Sequence, residues 1–247
     1  MAGTSKSANS GAGSGKLGKA ARKLLVERFE GLADPAKAIE MAAYMKTEKP
    51  FYGIQKPDRD PVYREIAKKF PATTHDEYAD VVMALWNGKH REEKYASLDY
   101  AIRFKKFVDT SMLPMYEQLV REAAWWDLVD PIATHLVGNS FLADRKTITP
   151  IMKKWIDDED MWIRRTAILS QNRHKEQTDE VLLFRFCLKR ADEKEFFIRK
   201  AIGWALREYS WRAPEAVKNF LLTNRDKLSP LSFREGGKQL MRTGHLK

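Results

Sequence analysis

The chain has 247 residues, 43% hydrophobic and 32% charged, with 13 Gly and 10 Pro, which is enough apolar content for a packed core and excludes a disordered or fibrous chain. Its 44 Lys+Arg against 34 Asp+Glu leave a net charge of +10, the footprint of a protein that meets a polyanion. A single cysteine excludes an internal disulfide and a thiolate zinc site, and with no apolar run of membrane-spanning length and no secretory signal pattern, an intracellular, cytoplasmic chain without a membrane partner is expected.

Residues 1–17 read as a flexible Gly/Ser tail carrying part of the basic excess, since the first 23 residues hold Lys6, Lys16, Lys19, Arg22 and Lys23 and no acid. Residues 18–247 are expected to form one domain. From Gly18 onward the pattern is helical. Tyr95, Leu98 and Ala101/Ile102 recur at three- and four-residue steps, as do Met112, Met115/Tyr116, Leu119/Val120 and Ala123, each giving the stripe of an amphipathic helix. No alternating strand pattern stands out. Five prolines follow Asp, Thr or Ser, in Asp34-Pro35, Asp60-Pro61, Asp130-Pro131, Thr149-Pro150 and Ser229-Pro230, and predict helix starts with the polar residue as N-cap. Asp192 to Glu195 predicts a capping box. Cys187 lies in an apolar run, Val181 to Leu188, and reads as a core residue.

The segment from Ile163 to Ile168 recurs 35 residues later as Ile198 to Ile202, and Trp126 lies 37 residues before Ile163. Two-helix units of this length predict an all-α chain, a HEAT-like repeat α-solenoid whose concave basic groove would suit a nucleic-acid duplex or an acidic protein equally well.

Most standard chemistries lack their motifs. The five histidines show no metal-ligand spacing, so no metal is expected, and there is no GxSxG, GxGxxG or GxxxxGK. What remains is aromatic and acidic. Of the seven tryptophans four or five are expected in the core. Helical spacing groups Lys200, Trp204 and Arg207 on one face, where a Trp between two cations can stack on a sugar or base while the cations hold phosphates, or can be an edge residue among solvated charges. Trp126 and Asp130 stand one helical turn apart, a pair able to recognise a cation, while Asp130-Pro131 also reads as a helix start. The two readings meet if Asp127 is the N-cap, and Asp130 then projects from an exposed first turn.

Ala43 to Lys46, Pro50 to Ile54, Trp125 to Asp130, Trp162 to Leu169 and Glu195 to Ser210, in that order, resemble the AlkD family of DNA alkylation-repair glycosylases. The likeness runs from about Ala21 to the C-terminus. It implies a HEAT-like solenoid that cradles double-stranded DNA containing alkylated bases and, with no cofactor, hydrolyses the N-glycosidic bond of cationic alkylpurines, typically 7-methylguanine and 3-methyladenine, without enclosing the base in a pocket. By the family pattern Asp130 is the catalytic carboxylate, Trp126 and Trp204 are aromatic walls beside the deoxyribose, Arg165 grips the nearby backbone and Tyr44 lies close to the lesion. Arg207 and Lys200 join the DNA-binding set through the helical-face argument. Arg59-Asp60 departs from the two basic residues usual in the family after Pro57, and Pro131 from the usual non-proline, which would tilt Asp130. A monomeric, monofunctional enzyme is expected. The rival readings are a non-catalytic solenoid for distorted or branched DNA, and a scaffold for an acidic protein; Trp126, Asp130, Arg165 and Trp204 together favour the enzyme over a binding-only protein, which has no need of that carboxylate because an acid facing phosphates opposes binding.

Overall fold

In the computed structural model, described here for residues 15–246, the chain is all-helical, and no strand occurs among the described residues. Two compact units divide it at Phe107/Val108. The first carries α1 (Lys16–Glu30), α2 (Pro35–Met45), α3 (Lys56–Lys69), α4 (His75–Trp86) and α5 (Arg91–Arg103). Helix α1 packs against α4 because Gly18 has no side chain where the backbone of Asp80 approaches, and the Gly18 N–H donates to the Asp80 carboxylate at 2.8 Å. The fully buried carboxylate of Glu92 accepts three backbone N–H groups, from Tyr52, Gly53 and Ile54, and so fixes the segment that leads into α3. Helix α2 leaves most of its surface to solvent: only Met45 is buried, and Tyr44 is 78% exposed.

The second unit holds α6 (Leu113–Ala123), α7 (Trp126–Pro131), a π-helical turn over Ile132–Val137, α8 (Gly138–Ala143), α9 (Arg145–Trp155), α10 (Met161–Leu169), α11 (Glu180–Lys189), α12 (Phe196–Tyr209), α13 (Pro214–Thr223) and α14 (Pro230–Arg242). Its repeat is visible in the helix starts. One set begins at residues 126, 161, 196 and 230 and the alternate set at 145, 180 and 214, steps of 34 or 35 residues. The recurring Ile-Arg segments are the opening turns of α10 and α12, which pack on each other, as α12 does on α14. Repeated helix pairs of this length are the HEAT-like class expected. The stripes expected over 95–102 and 112–123 are α5, which buries Leu98 and Ala101, and α6, which buries Tyr116, Leu119, Val120 and Ala123. Cys187 is buried on α11, and burial pushes its thiol up to about 12. Trp86, Trp155 and Trp162 are in the core, Trp125 is half-buried, and Trp211 is exposed beneath the Arg242 guanidinium.

Several start signals behave otherwise. Asp34 and Ser229 do cap α2 and α14. Pro61, Pro131 and Pro150 instead lie inside α3, α7 and α9, each one turn beyond the start. An Asp-Pro or Thr-Pro pair looks the same at a helix start and one turn in, where proline removes one internal hydrogen bond without ending the helix. The capping box at Asp192–Glu195 does not form: Glu195 precedes α12 without a side-chain cap, and Glu193 is taken by Arg164 at 2.9 and 3.0 Å. Helix α1 begins at Lys16, inside the segment read as tail; residues 1–14 lie outside the described part. No described helix is long and apolar enough to cross a membrane.

Candidate active site

The route to the site starts at Trp125, whose extended backbone (φ −159°, ψ 143°) ends the turn after α6, and whose carbonyl accepts the N–H groups of Leu128 and Val129. Helix α7 therefore begins at Trp126 with Trp125 at the cap position, and both start readings are corrected: neither Asp130 nor Asp127 caps it, since Asp127 lies in the first turn and Asp130 at the fifth position. Pro131 follows with no N–H to donate, and the next residues relax into a π turn in which Thr134 donates its hydroxyl to the Asp130 carbonyl at 2.9 Å. The proline is thus absorbed by a local widening of the helix rather than by breaking it.

This start phase turns Asp130 inward. The expected projection from an exposed turn is overturned, since its side chain is only 15% exposed and meets Arg165 of α10 in a two-pronged pair. Arg165 Nε lies 2.8 Å from Oδ1 and Nη2 lies 2.9 Å from Oδ2, while Nη1 donates to the Phe197 carbonyl at the head of α12. With all three nitrogens engaged and 5% of its side chain exposed, Arg165 is a brace for the carboxylate. Burial pushes the Asp130 carboxyl above the usual carboxylate range, and the guanidinium of Arg165 works against that rise.

Around this pair α7, α10, α12 and α14 enclose a cleft of about 290 Å³, open to solvent, with Trp126, Trp204, Phe196 and Phe197 among its walls. Trp126 is 36% exposed and Trp204 half-buried. Phe197 is backed by Trp125 and Trp162, with ring centroids at 5.5 and 4.9 Å. Phe196 is 52% exposed at the rim. Lys200 and Arg207 flank Trp204 on the same face, as helical spacing predicts, and both reach Glu235 of α14. A second cleft of about 320 Å³ lies past the C-terminal ends of α10 and α12, between Gln171, Lys175, Tyr209 and Trp211, and its one carboxylate, Glu208, is exposed. No group of three or more His, Cys, Asp or Glu that could hold a metal occurs among the described residues.

The model of the family described as DNA alkylation repair enzyme matches residues 25–240. A solved structure titled "Predicted DNA alkylation repair enzyme from Enterococcus faecalis" superposes with a TM-score of 0.77 at 30% identity, covering 84% of this chain and 96% of that one. The chain belongs to the family of DNA alkylation repair enzymes. No curated protein matches it.

Of the residues singled out in this alkylation-repair chain, the second unit brings Asp130, Trp126, Trp204, Arg165, Lys200 and Arg207 into one cleft. Tyr44 belongs to the first unit and stands exposed on α2. Lys200 and Arg207 are held by a shared carboxylate rather than extended as unpaired cations. Sequence reasoning missed Phe196, Phe197 and Glu235. The two phenylalanines carried a signal, since Phe196 lies one turn before Lys200 and Phe197 two turns before Trp204. Glu235 carried none, because only the packing of α14 on α12 brings it there.

Proposed function

We propose that this DNA alkylation repair enzyme is a monofunctional glycosylase that hydrolyses the N-glycosidic bond of cationic alkylated purines in duplex DNA, with Asp130 as its catalytic carboxylate. The observation that carries the reading is a largely buried carboxylate, fixed by two hydrogen bonds, that shares with Trp126 and Trp204 a cleft open to solvent, where a duplex can be met without enclosing the base in a pocket.

A 7-methylguanine or 3-methyladenine already bears a positive ring, so it leaves without a general acid, and positive charge builds on the deoxyribose as the bond to the base lengthens. Asp130 stabilises that oxocarbenium-like sugar and orients the attacking water. The faces of Trp126 and Trp204 attract the same charge, each contributing about 0.5–2 kcal/mol according to desolvation. Arg165 holds the carboxylate against rotation, which places the charge before the reaction begins. It also withdraws some of the negative charge, so Asp130 acts on the transition state as a tempered anion.

In this reading Lys200 and Arg207 face the lesion-bearing strand and Tyr44 contributes a further DNA contact. The concave basic groove, the single domain over 18–247, the monomeric state and the intracellular setting with access to chromosomal DNA belong to the same proposal. No lysine is assigned as an imine-forming nucleophile, so a covalent protein–DNA adduct trapped with borohydride would refute the monofunctional part.

The deciding experiment is single-turnover release of 7-methylguanine from a duplex by the wild-type chain and by Asp130→Asn, with duplex affinity measured in parallel. The charge on Asp130 acts chiefly in the transition state, so the Asn form is expected to bind within about threefold of wild type and to release base about 100-fold slower or worse. Equal binding with no release by either chain would overturn the glycosylase in favour of a non-catalytic DNA-binding solenoid.

A further inference from the structure

Glu235 is an acid in a cleft read as the place where a DNA strand docks, and acids there weaken binding. Its environment shows what it is held by. Its side chain is only 7% exposed; Oε2 lies 3.0 Å from Arg207 Nη1 and 3.2 Å from Lys200 Nζ, and Oε1 lies 2.7 Å from Lys238 Nζ. Burial pushes the carboxyl up, but the ammonium groups of Lys238 and Lys200 outweigh this and hold it below the usual range. Three cations on one carboxylate leave a local excess of positive charge for an incoming anion.

The backbone is arranged for this approach. Gly203 sits on α12 beside Trp204, and a Cβ there would fall inside van der Waals contact with the Glu235 Cβ and 3.1 Å from the Ser232 carbonyl oxygen. With glycine at that point α14 closes on α12, and Glu235 reaches the two cations that bracket Trp204 two helical turns apart. Lysine and arginine side chains are long and lose rotamer freedom when a phosphate immobilises them. An anchored pair has lost it already.

We propose that Glu235 is a positioning residue that presets Lys200 and Arg207 on either side of Trp204 as a two-pronged grip for backbone phosphates of the lesion-bearing strand. This rests on the glycosylase reading above. Glu235 lowers general affinity for DNA and in return fixes the register in which Trp204 and Asp130 meet the damaged nucleotide.

Glu235→Gln in the full chain tests it, with binding to undamaged duplex measured as a function of salt and with single-turnover release of 7-methylguanine at saturating enzyme. The expected result is a split of opposite signs. Removing the negative charge tightens binding about three- to tenfold at about 0.1 M salt and steepens the salt slope by about one, while release from the saturated complex slows roughly tenfold. A residue that merely braces α12 against α14 would weaken both. Lys200→Gln and Arg207→Gln, at more exposed positions, should each flatten the slope by about one, and they keep the test decisive if Glu235→Gln does not fold. Unchanged binding and release in Glu235→Gln, a loss of affinity in it, or unaltered slopes in both cation variants would overturn the proposal. A wild-type chain that binds duplex but releases no base removes the glycosylase reading and leaves the salt slopes to decide this one.

Discussion

Replacing Arg165 by methionine removes both hydrogen bonds to Asp130 while filling most of the same space, and so strips the counter-charge from a carboxylate whose side chain is 15% exposed. Breaking one side of a buried pair costs about 3–5 kcal/mol, because the partner is left charged in a poorly solvated place. The cleft admits some water to Asp130, so the lower end, about 3 kcal/mol, is the expected loss. For a chain of this size that is a fall of roughly 6–12 °C in Tm. The double variant Asp130→Asn/Arg165→Met removes the stranded charge and should recover at least half of the loss. Acidification adds a check of sign. Burial already raises the Asp130 carboxyl, and without Arg165 nothing opposes that rise. The folded state of the single variant then binds a proton more readily than the unfolded chain, so its deficit against wild type is full at neutral pH and shrinks as pH falls through the raised pKa. Thermal melts of the three chains from pH 7.5 to pH 5 read all of this. A single variant melting within about 2 °C of wild type, or a double variant no better than the single, would refute the pairing as the element that holds Asp130.

Two other outcomes follow from buried groups. His174 accepts from Arg145 at Nδ1, donates from Nε2 to the Gly138 carbonyl at 2.8 Å, and is pulled by burial down to about 4 from the ordinary 6.5. Because the unfolded chain takes up that proton first, the stability owed to neutral His174 is intact above pH 6.5 and lost progressively to about pH 4, about 3 kcal/mol in all; denaturant melts of wild type and His174→Gln should show their difference closing by that amount, and a pH-independent difference would refute it. Gly203→Ala should cost about 1–3 kcal/mol, since the new methyl meets Glu235 and the backbone of α14, and a melt equal to wild type would show that the two helices separate without penalty.

How far the site could be read in advance depended on which contacts were local. Trp126 with Asp130, and Lys200 with Trp204 and Arg207, share one cleft as their spacing predicts, because a helix places residues three, four and seven apart on one face whatever surrounds it. The exposure of Asp130 is where local spacing misleads. An Asp127 cap would leave Asp130 exposed, whereas the observed start at Trp126 turns it inward, because a shift of one residue in the helix start turns a side chain by about 100° and nothing in Trp125-Trp126-Asp127 declares the phase. Arg165 pairs with Asp130, 35 residues away, a contact that no local spacing reveals.

The sequence by itself determined the helical class, the repeat of about 35 residues and the family, because apolar spacing and ordered motifs are properties of the chain taken in order. Tertiary structure alone decided which charges meet. Arg165 with Asp130, and Glu235 with Lys200 and Arg207, join residues 28 to 35 positions apart, and these pairings fix the orientation of the carboxylate and the placement of the cations. The physical reason is that burial and Coulomb interaction depend on distance in space, and one repeat of separation along the chain becomes direct contact only when neighbouring helices stack.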